Sequence, residues 1–319
     1  MIRVGILGAG FGRTHAEIYK GLEGVEIVGI YGRNIKKLEE IKESLAIKTT
    51  NDIDELIEDP SIDLIDICLP THLHKKYVVK ALNKKKHVFC ETPVAYTLAE
   101  AEEMKRCSKE NNRELYVDLF YKFSDPHRIA IDMIQSEKLG KPLVARVYQK
   151  TPPYWGDMTL DKIVQDFMLH NFDFLNEIMG EPNEVIATGI ERENSHVFVH
   201  LNYEDAIASV ESSTLLPEKF SFTIGFHIIC ELGTLTFDGR FGEITEQKMM
   251  LYDNDSIESI PLPSNDDYEE AIKYMLDAIN NGNDSSMLSI DESIKSLKVA
   301  LAVKESLRTN NIVTLKNKI

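Results

Sequence analysis

The chain has 319 residues, 43% of them hydrophobic, which is enough for two domains with a sizeable core and too apolar for a disordered segment. Its 36 basic and 52 acidic residues give a net charge of −16, which argues against nucleic acid or an anionic membrane as the main partner and leaves room for a local basic pocket. No apolar run approaches the ~20 residues of a membrane span, Met1 leads straight into a strand pattern without a leader, and four cysteines with no C-x-x-C pair read as reduced thiols of a cytoplasmic protein with no disulfide and no metal site.

The chain opens with an apolar run to Leu7, glycines at Gly8, Gly10 and Gly12, and a helical pattern from about Arg13. Strand, glycine turn and helix in that order suit a dinucleotide. Glycines let the backbone approach a pyrophosphate, and the free N–H groups of a helix start favour its charge. Gly8, Gly10, Phe11 and Gly12 are therefore candidate coenzyme positions, with a plain tight turn as the alternative. The usual G-x-G-x-x-G spacing would put its third glycine where Arg13 stands, so the simpler reading is a loop one residue shorter, with Gly12 packing helix on strand.

Further strands are expected over residues 25–31, 62–69, 87–90 and 115–119, mostly continuous apolar runs of the kind found in parallel strands covered on both faces. After the run at 25–31, where an acid would bind ribose hydroxyls, stand Gly32 and Arg33. A guanidinium pairs with a 2′-phosphate, so NADP is favoured over NAD. A solvated arginine is the alternative. The run at 62–69 leads into Leu69, Pro70, Thr71 and His74, at a strand end where ligands bind. Thr71 either caps the next helix or also meets the coenzyme, and His74 either faces the cleft or the surface. The next strand ends in Glu91-Thr92-Pro93, whose proline shapes a turn and is a candidate for a cis bond. Thr97 with Glu100 forms a capping box ahead of an apolar stripe at Leu98, Ala101, Met104 and Cys107. The doubly wound sheet is expected to end near Lys122, dividing the chain into a dinucleotide-binding domain, 1–122, and a substrate and oligomerisation domain, 123–319.

Beyond Lys122 a helix is expected at 125–136. Alternating strands then follow at 144–150, 184–190, 197–202, 207–213, 220–229, 234–237 and 249–252, read as a largely antiparallel sheet. Two helices, 268–281 and 291–309, close the chain. One helix, 161–179, interrupts the strands. Spacings of four and three place Asp166, His170 and Asp173 on one stripe of it among Phe167, Phe172 and Phe174. Ionisable groups on so apolar a helix are either a satisfied structural pair or a working site, where an imidazole exchanges protons and a carboxylate orients it. Tyr121, Tyr154 and Trp155, the only tryptophan, either line a substrate pocket or pack their loop, and Lys122 is either a cation near the site or a surface lysine.

Taken together, Gly8-Ala-Gly-Phe-Gly-Arg-Thr-His15, Pro70-Thr-His-Leu-His74, Glu91-Thr-Pro93 and Asp166-Phe-Met-Leu-His170-Asn-Phe-Asp173 resemble the Gfo/Idh/MocA family of NAD(P)-dependent oxidoreductases over essentially the whole length. The resemblance implies an α/β chain: an N-terminal Rossmann domain and a C-terminal α+β domain on an open, mostly antiparallel sheet, through which dimers or tetramers form. It implies hydride transfer between NAD(P) and a carbinol or ketone carbon of a sugar-like or cyclitol substrate. His170 would handle the proton, Asp166 would orient it, and the tip carrying Thr92 would meet the buried polar stripe at a common carbon. It departs from the family at Thr92, where a lysine is typical; a threonine hydroxyl donates a hydrogen bond without titrating usefully. That departure keeps two other readings open, a non-catalytic dinucleotide sensor and an enzyme using NAD transiently for glycoside cleavage or epimerisation.

Overall fold

The computed structural model describes residues 1–154, 156 and 158–315. They form two compact units: Met1–Phe120 with Asp266–Ile294, and Tyr121–Asn265 with the chain from Lys295 onward.

The first unit runs β1 (Ile2–Leu7), α1 (Gly12–Gly21), β2 (Val25–Tyr31), α2 (Ile35–Leu45), β3 (Thr49–Thr50), α3 (Asp54–Ile57), β4 (Leu64–Ile67), α4 (His74–Asn83), β5 (His87–Cys90), α5 (Leu98–Asn111) and β6 (Leu115–Val117). Its six strands pair in parallel in the order β3-β2-β1-β4-β5-β6, the doubly wound arrangement whose order reverses beside β1. The apolar runs are why: Val4, Ile6, Leu64, Ile65, Val88 and Phe89 are sealed between helices on both faces. Helix starts follow their caps. The Asn34 side chain accepts from the Lys37 N–H (3.2 Å) ahead of α2, and Thr97 Oγ1 accepts from the Glu100 N–H (3.3 Å) and donates to Glu100 Oε2 (2.9 Å) ahead of α5. β4 and β6 are shorter than the apolar runs suggested. After β4 the chain turns at Leu69-Pro70, where proline has no N–H for the ladder, and after β6 it enters a 3₁₀ turn, Phe120–Lys122.

The second unit contains α6 (Asp125–Gln135), β7 (Pro142–Lys150), α7 (Leu160–Lys162), α8 (Leu169–Met179), β8 (Glu184–Glu191), β9 (Ser195–Asn202), β10 (Ile207–Ser213), β11 (Phe222–Cys230), β12 (Thr234–Phe241), β13 (Glu246–Tyr252) and β14 (Ile257–Ile260). The chain continues through α9 (Asp267–Asn281), α10 (Ile290–Thr309) and β15 (Val313–Thr314). The sheet has nine strands, β14-β13-β12-β11-β7-β10-β9-β8-β15, and every pair is antiparallel except β7 with β10. Side chains alternate along each strand, so Val147, Val199, Val210, Phe226 and Phe237 form one buried face with Phe172, Phe174 and Leu175 of α8 and Val299 and Val303 of α10.

Two expectations need correction. The single division after residue 122 overlooks a return: residues 266–294 cluster with the first unit, where α9 buries Ala271, Ile272 and Met275 and the Tyr268 ring stacks on Phe120 at 4.3 Å. A change of texture along the chain marks where it leaves a core, but cannot show it coming back. The helix expected at 161–179 is also interrupted. Between α7 and α8 lies a π turn, Ile163–Phe167, in which the Met168 N–H reaches back five residues to the Ile163 carbonyl (2.9 Å). A π turn holds one more residue than an α turn, so residues on either side of it no longer share a face.

Candidate functional site

In the first unit the glycine turn joins β1 to α1. Gly8 has φ +127°, and a Cβ there would lie 2.3 Å from the Cys68 carbonyl oxygen. A Cβ on Gly12 would lie 2.8 Å from Ile6 Cγ2, so Gly12 is where the helix passes closest to the strand. A Cβ on Gly10 would meet nothing within 4 Å. The turn is tight against protein at its two ends and open in the middle, beside the first N–H groups of a ten-residue helix. That is a cradle fitted to an anionic group approaching the backbone. Phe11 is exposed on its rim with its ring against Tyr268 of α9 (5.1 Å), and Arg13 turns outward to Glu17 (3.0 Å).

Arg33 is exposed just past β2. Gly32 before it admits no side chain, since a Cβ would lie 2.6 Å from that of Ala9. Past β4, Leu69 and Thr71 are half-buried and Pro70 is exposed. Thr71 opens a 3₁₀ turn, Thr71–Leu73, and no side chain caps α4, so the capping role does not hold. His74 is neither at the surface nor open to a cleft. It is buried, Nδ1 facing the Pro93 carbonyl (3.0 Å) and Nε2 the Leu69 carbonyl (2.6 Å), and so ties the loops after β4 and β5 together. Burial lowers its pKa. The Thr92–Pro93 bond is cis, and the Thr92 N–H donates to Glu91 Oε2 (3.1 Å).

In the second unit His170 is 7% exposed, its ring stacked on Tyr121 at 4.8 Å; Tyr121 in turn lies 4.8 Å from the ring of His127. Burial alone pushes His170 down to about 4, and burial with His170 pushes His127 down to about 3. Both are neutral imidazoles at physiological pH. Asp166 sits in the π turn, its carboxyl pushed up by burial and its Oδ1 without a hydrogen-bond partner among the described residues. Of the expected stripe, Asp166 thus stands in the π turn while His170 and Asp173 stand on α8. The Lys122 ammonium, 1% exposed rather than at the surface, lies 3.1 Å from Glu177 Oε2 and 3.6 Å from Asp173 Oδ1, and Ser296 Oγ donates to that same Asp173 oxygen (3.2 Å). Lys122 and Asp173 are thus brought to each other in a buried ion-pair network. Tyr154 is exposed, and Trp155 lies outside the described residues.

Sequence reasoning did not bring one group together, although it named Glu91 and quoted His15. His15, Asp66 and Asp118 are fully buried, with Glu91 and Cys68 beside them. The available signal was an acid within the apolar run of β4 and another directly after β6, each costly to bury without a partner.

Residues 2–119 match the family model described as an oxidoreductase family with an NAD-binding Rossmann fold. Among curated proteins, myo-inositol 2-dehydrogenase of Thermotoga maritima is 32% identical over 194 residues, 59% of this chain; the chain thus spans 58% of the length of that relative. A solved structure of a probable dehydrogenase from Thermotoga maritima superposes with a TM-score of 0.83 at 25% identity, covering 98% of this chain and 99% of the other. An oxidoreductase from Agrobacterium radiobacter, solved with NAD+, L-tartaric acid and magnesium, shares the fold at a TM-score of 0.86 and 18% identity, with 98% of each chain covered. Residues 2–119, with the glycine cradle at their head, are thus similar to the NAD-binding Rossmann domain of the Gfo/Idh/MocA oxidoreductase family.

Proposed function

We propose that this chain is an NAD(P)-dependent oxidoreductase moving hydride between a nicotinamide and a carbinol or ketone carbon of a sugar-like or cyclitol compound. The observation that carries the reading is the glycine turn, tight at Gly8 and Gly12 and open at Gly10, in a chain whose relatives include dehydrogenases named for myo-inositol and glucose 6-phosphate. Gly10, Phe11, Gly12 and the start of α1 would hold the pyrophosphate, with Leu69, Pro70, Thr71, Glu91 and Pro93 along the strand ends, and Arg33 would select a 2′-phosphate, giving NADP preference. The nicotinamide, when bound, accepts or delivers the hydride. His170 is a neutral imidazole and so is ready to accept a hydroxyl proton during oxidation. Thr92 would position the substrate by hydrogen bonding. Asp166, whose carboxyl burial pushes up, would orient the imidazole. Tyr121, stacked on His170, fixes the plane of that ring. The second reading, a dinucleotide sensor, is favoured by Thr92, which supplies no titrating group.

The test mixes the protein and NADP+ with a panel of cyclitols and sugars and follows nicotinamide absorbance in a single turnover. Net reduction that falls at least a hundredfold in His170→Ala supports the assignment. The acid limb of kcat/KM should then lie near pH 4, well below an ordinary histidine. Tight coenzyme binding without redox change on any substrate favours the sensor, and product without net change in coenzyme favours transient use of NAD.

A further inference from the structure

The first unit buries a polar cluster of which the dinucleotide reading uses only Glu91. His15 on α1, Asp66 on β4, Glu91 after β5 and Asp118 after β6 converge from four elements. His15 Nδ1 lies 2.9 Å from Asp66 Oδ2, and a carboxylate there fixes the ring proton on Nδ1. The Cys68 thiol donates to the other Asp66 oxygen (3.3 Å). That leaves the Nε2 lone pair facing two more carboxylates, Glu91 Oε1 at 3.2 Å and Asp118 Oδ2 at 3.6 Å. Nε2, Glu91 Oε1 and both Asp118 oxygens are buried with no hydrogen-bond partner among the described residues.

Converging lone pairs repel unless something positive stands among them, and three carboxylates against one imidazole leave an excess of negative charge out of water. A single proton satisfies this poorly. Placed on Nε2 it leaves both Asp118 oxygens without a donor, and placed on Asp118, facing Nε2, it leaves Glu91 Oε1 without one. A metal ion uses all three lone pairs together. Ligand atoms at 2.0–2.2 Å from a tetrahedral ion stand about 3.3–3.6 Å apart, close to the two separations seen here. A histidine whose other nitrogen is held by a carboxylate is the usual second shell of such a ligand. We propose that His15 Nε2, Glu91 Oε1 and Asp118 Oδ2 bind a divalent transition-metal ion of the zinc class, with Asp66 orienting the imidazole. The imidazole selects against magnesium and calcium, which prefer oxygen ligands. Cys68 Sγ is the nearest further donor; His15, Cys68 and Glu91 offer ligand atoms all within 4.8 Å of one another. The ligands lie at 15, 91 and 118, so no local spacing announces them.

The full chain, stripped with a chelator and dialysed against zinc, should retain about one zinc per chain by elemental analysis. Cobalt(II) in its place should give the visible bands of a four-coordinate site. Asp118→Asn, nearly isosteric, and His15→Gln should each weaken zinc at least tenfold in competition with a chromophoric chelator. Asp66→Asn should do so by about ten- to a hundredfold while keeping the stoichiometry. Circular dichroism monitors folding, and if His15→Gln does not fold, Asp118→Asn decides alone. Less than about a tenth of an equivalent after repletion, or binding unchanged in Asp118→Asn, overturns the site. So does a protonated-carboxyl infrared band that Asp118→Asn abolishes in the zinc-treated protein.

Discussion

Arg33 and His127 show opposite ways in which a residue's surroundings decide its chemistry. Arg33 is exposed beyond a glycine that admits no side chain, with no acid at the end of β2 to repel a phosphate. A charge-assisted hydrogen-bonded pair is worth about 1.5–3 kcal/mol, so Arg33→Ala should raise KM for NADPH roughly ten- to a hundredfold and leave KM for NADH within about twofold. Equal losses for both coenzymes would remove the case for NADP. His127 is enclosed by Tyr121, Phe174, Phe226 and Phe237, its Nδ1 facing Ser124 Oγ at 3.2 Å. Its folded pKa, about 3, lies below the unfolded value, so between about pH 3 and 6.5 the unfolded chain holds the extra proton and stability falls as pH falls. From pH 7 to pH 5 this histidine should cost about 2 kcal/mol. In urea titrations His127→Phe should remove that share of the acid loss, and an unchanged pH dependence in the folded variant would contradict the neutral, buried imidazole. At this scale the sequence showed which residues can titrate. Whether they do depends on burial: His170 is readable as a proton carrier, its depressed pKa is not, and Lys122 gives no sign that it is sealed beside Asp173 and Glu177.

Among the elements, the β1–α1 turn was the most legible, because its glycines answer to local sterics that a short stretch of sequence contains. The same sterics separate fold from function. Gly8→Ala must take a left-handed φ and collide with the Cys68 carbonyl, so it should lower the melting temperature by several degrees, in line with a loss of about 1–3 kcal/mol. Gly10→Ala meets nothing in the protein, so it should melt as the wild type does yet bind coenzyme at least tenfold more weakly, because the added methyl occupies the open side of the cradle. Thermal melts paired with coenzyme titrations distinguish the two, and full coenzyme affinity in Gly10→Ala would mean that the pyrophosphate lies elsewhere. The π turn at Ile163–Phe167 was illegible by comparison. A hydrophobic period reports which side of a helix faces the core, and a single widened turn leaves that pattern nearly intact while it breaks the run of α-helical hydrogen bonds.

At the scale of the whole chain, class and order of elements were legible, and non-local pairings were not. Alternation announced the strands of the second unit, but nothing local says that β7 lies parallel to β10 in an otherwise antiparallel sheet, or that α9 returns to the first unit. The same alternation leaves that sheet a second face, away from the core, which carries Ile186, Ile190, Phe198, Ile207 and Ile229 exposed beside Arg146, Glu211 and His227. Isolated exposed apolar side chains are ordinary, whereas five on one sheet face, interleaved with charges, suit a self-complementary interface. We infer that the chain pairs through this face as a homodimer, or a tetramer built from such dimers. Phe198 is the residue to perturb: it stands between Thr188 and Glu211 in register, so Phe198→Glu removes an aromatic anchor and sets like charges opposite one another without touching the core side. Light scattering at micromolar concentration should show the wild type as dimer or larger and Phe198→Glu shifted to monomer, with the melting transition still cooperative. A monomeric wild type, or a variant that assembles as tightly as its parent, would show that this face of the sheet is not the contact.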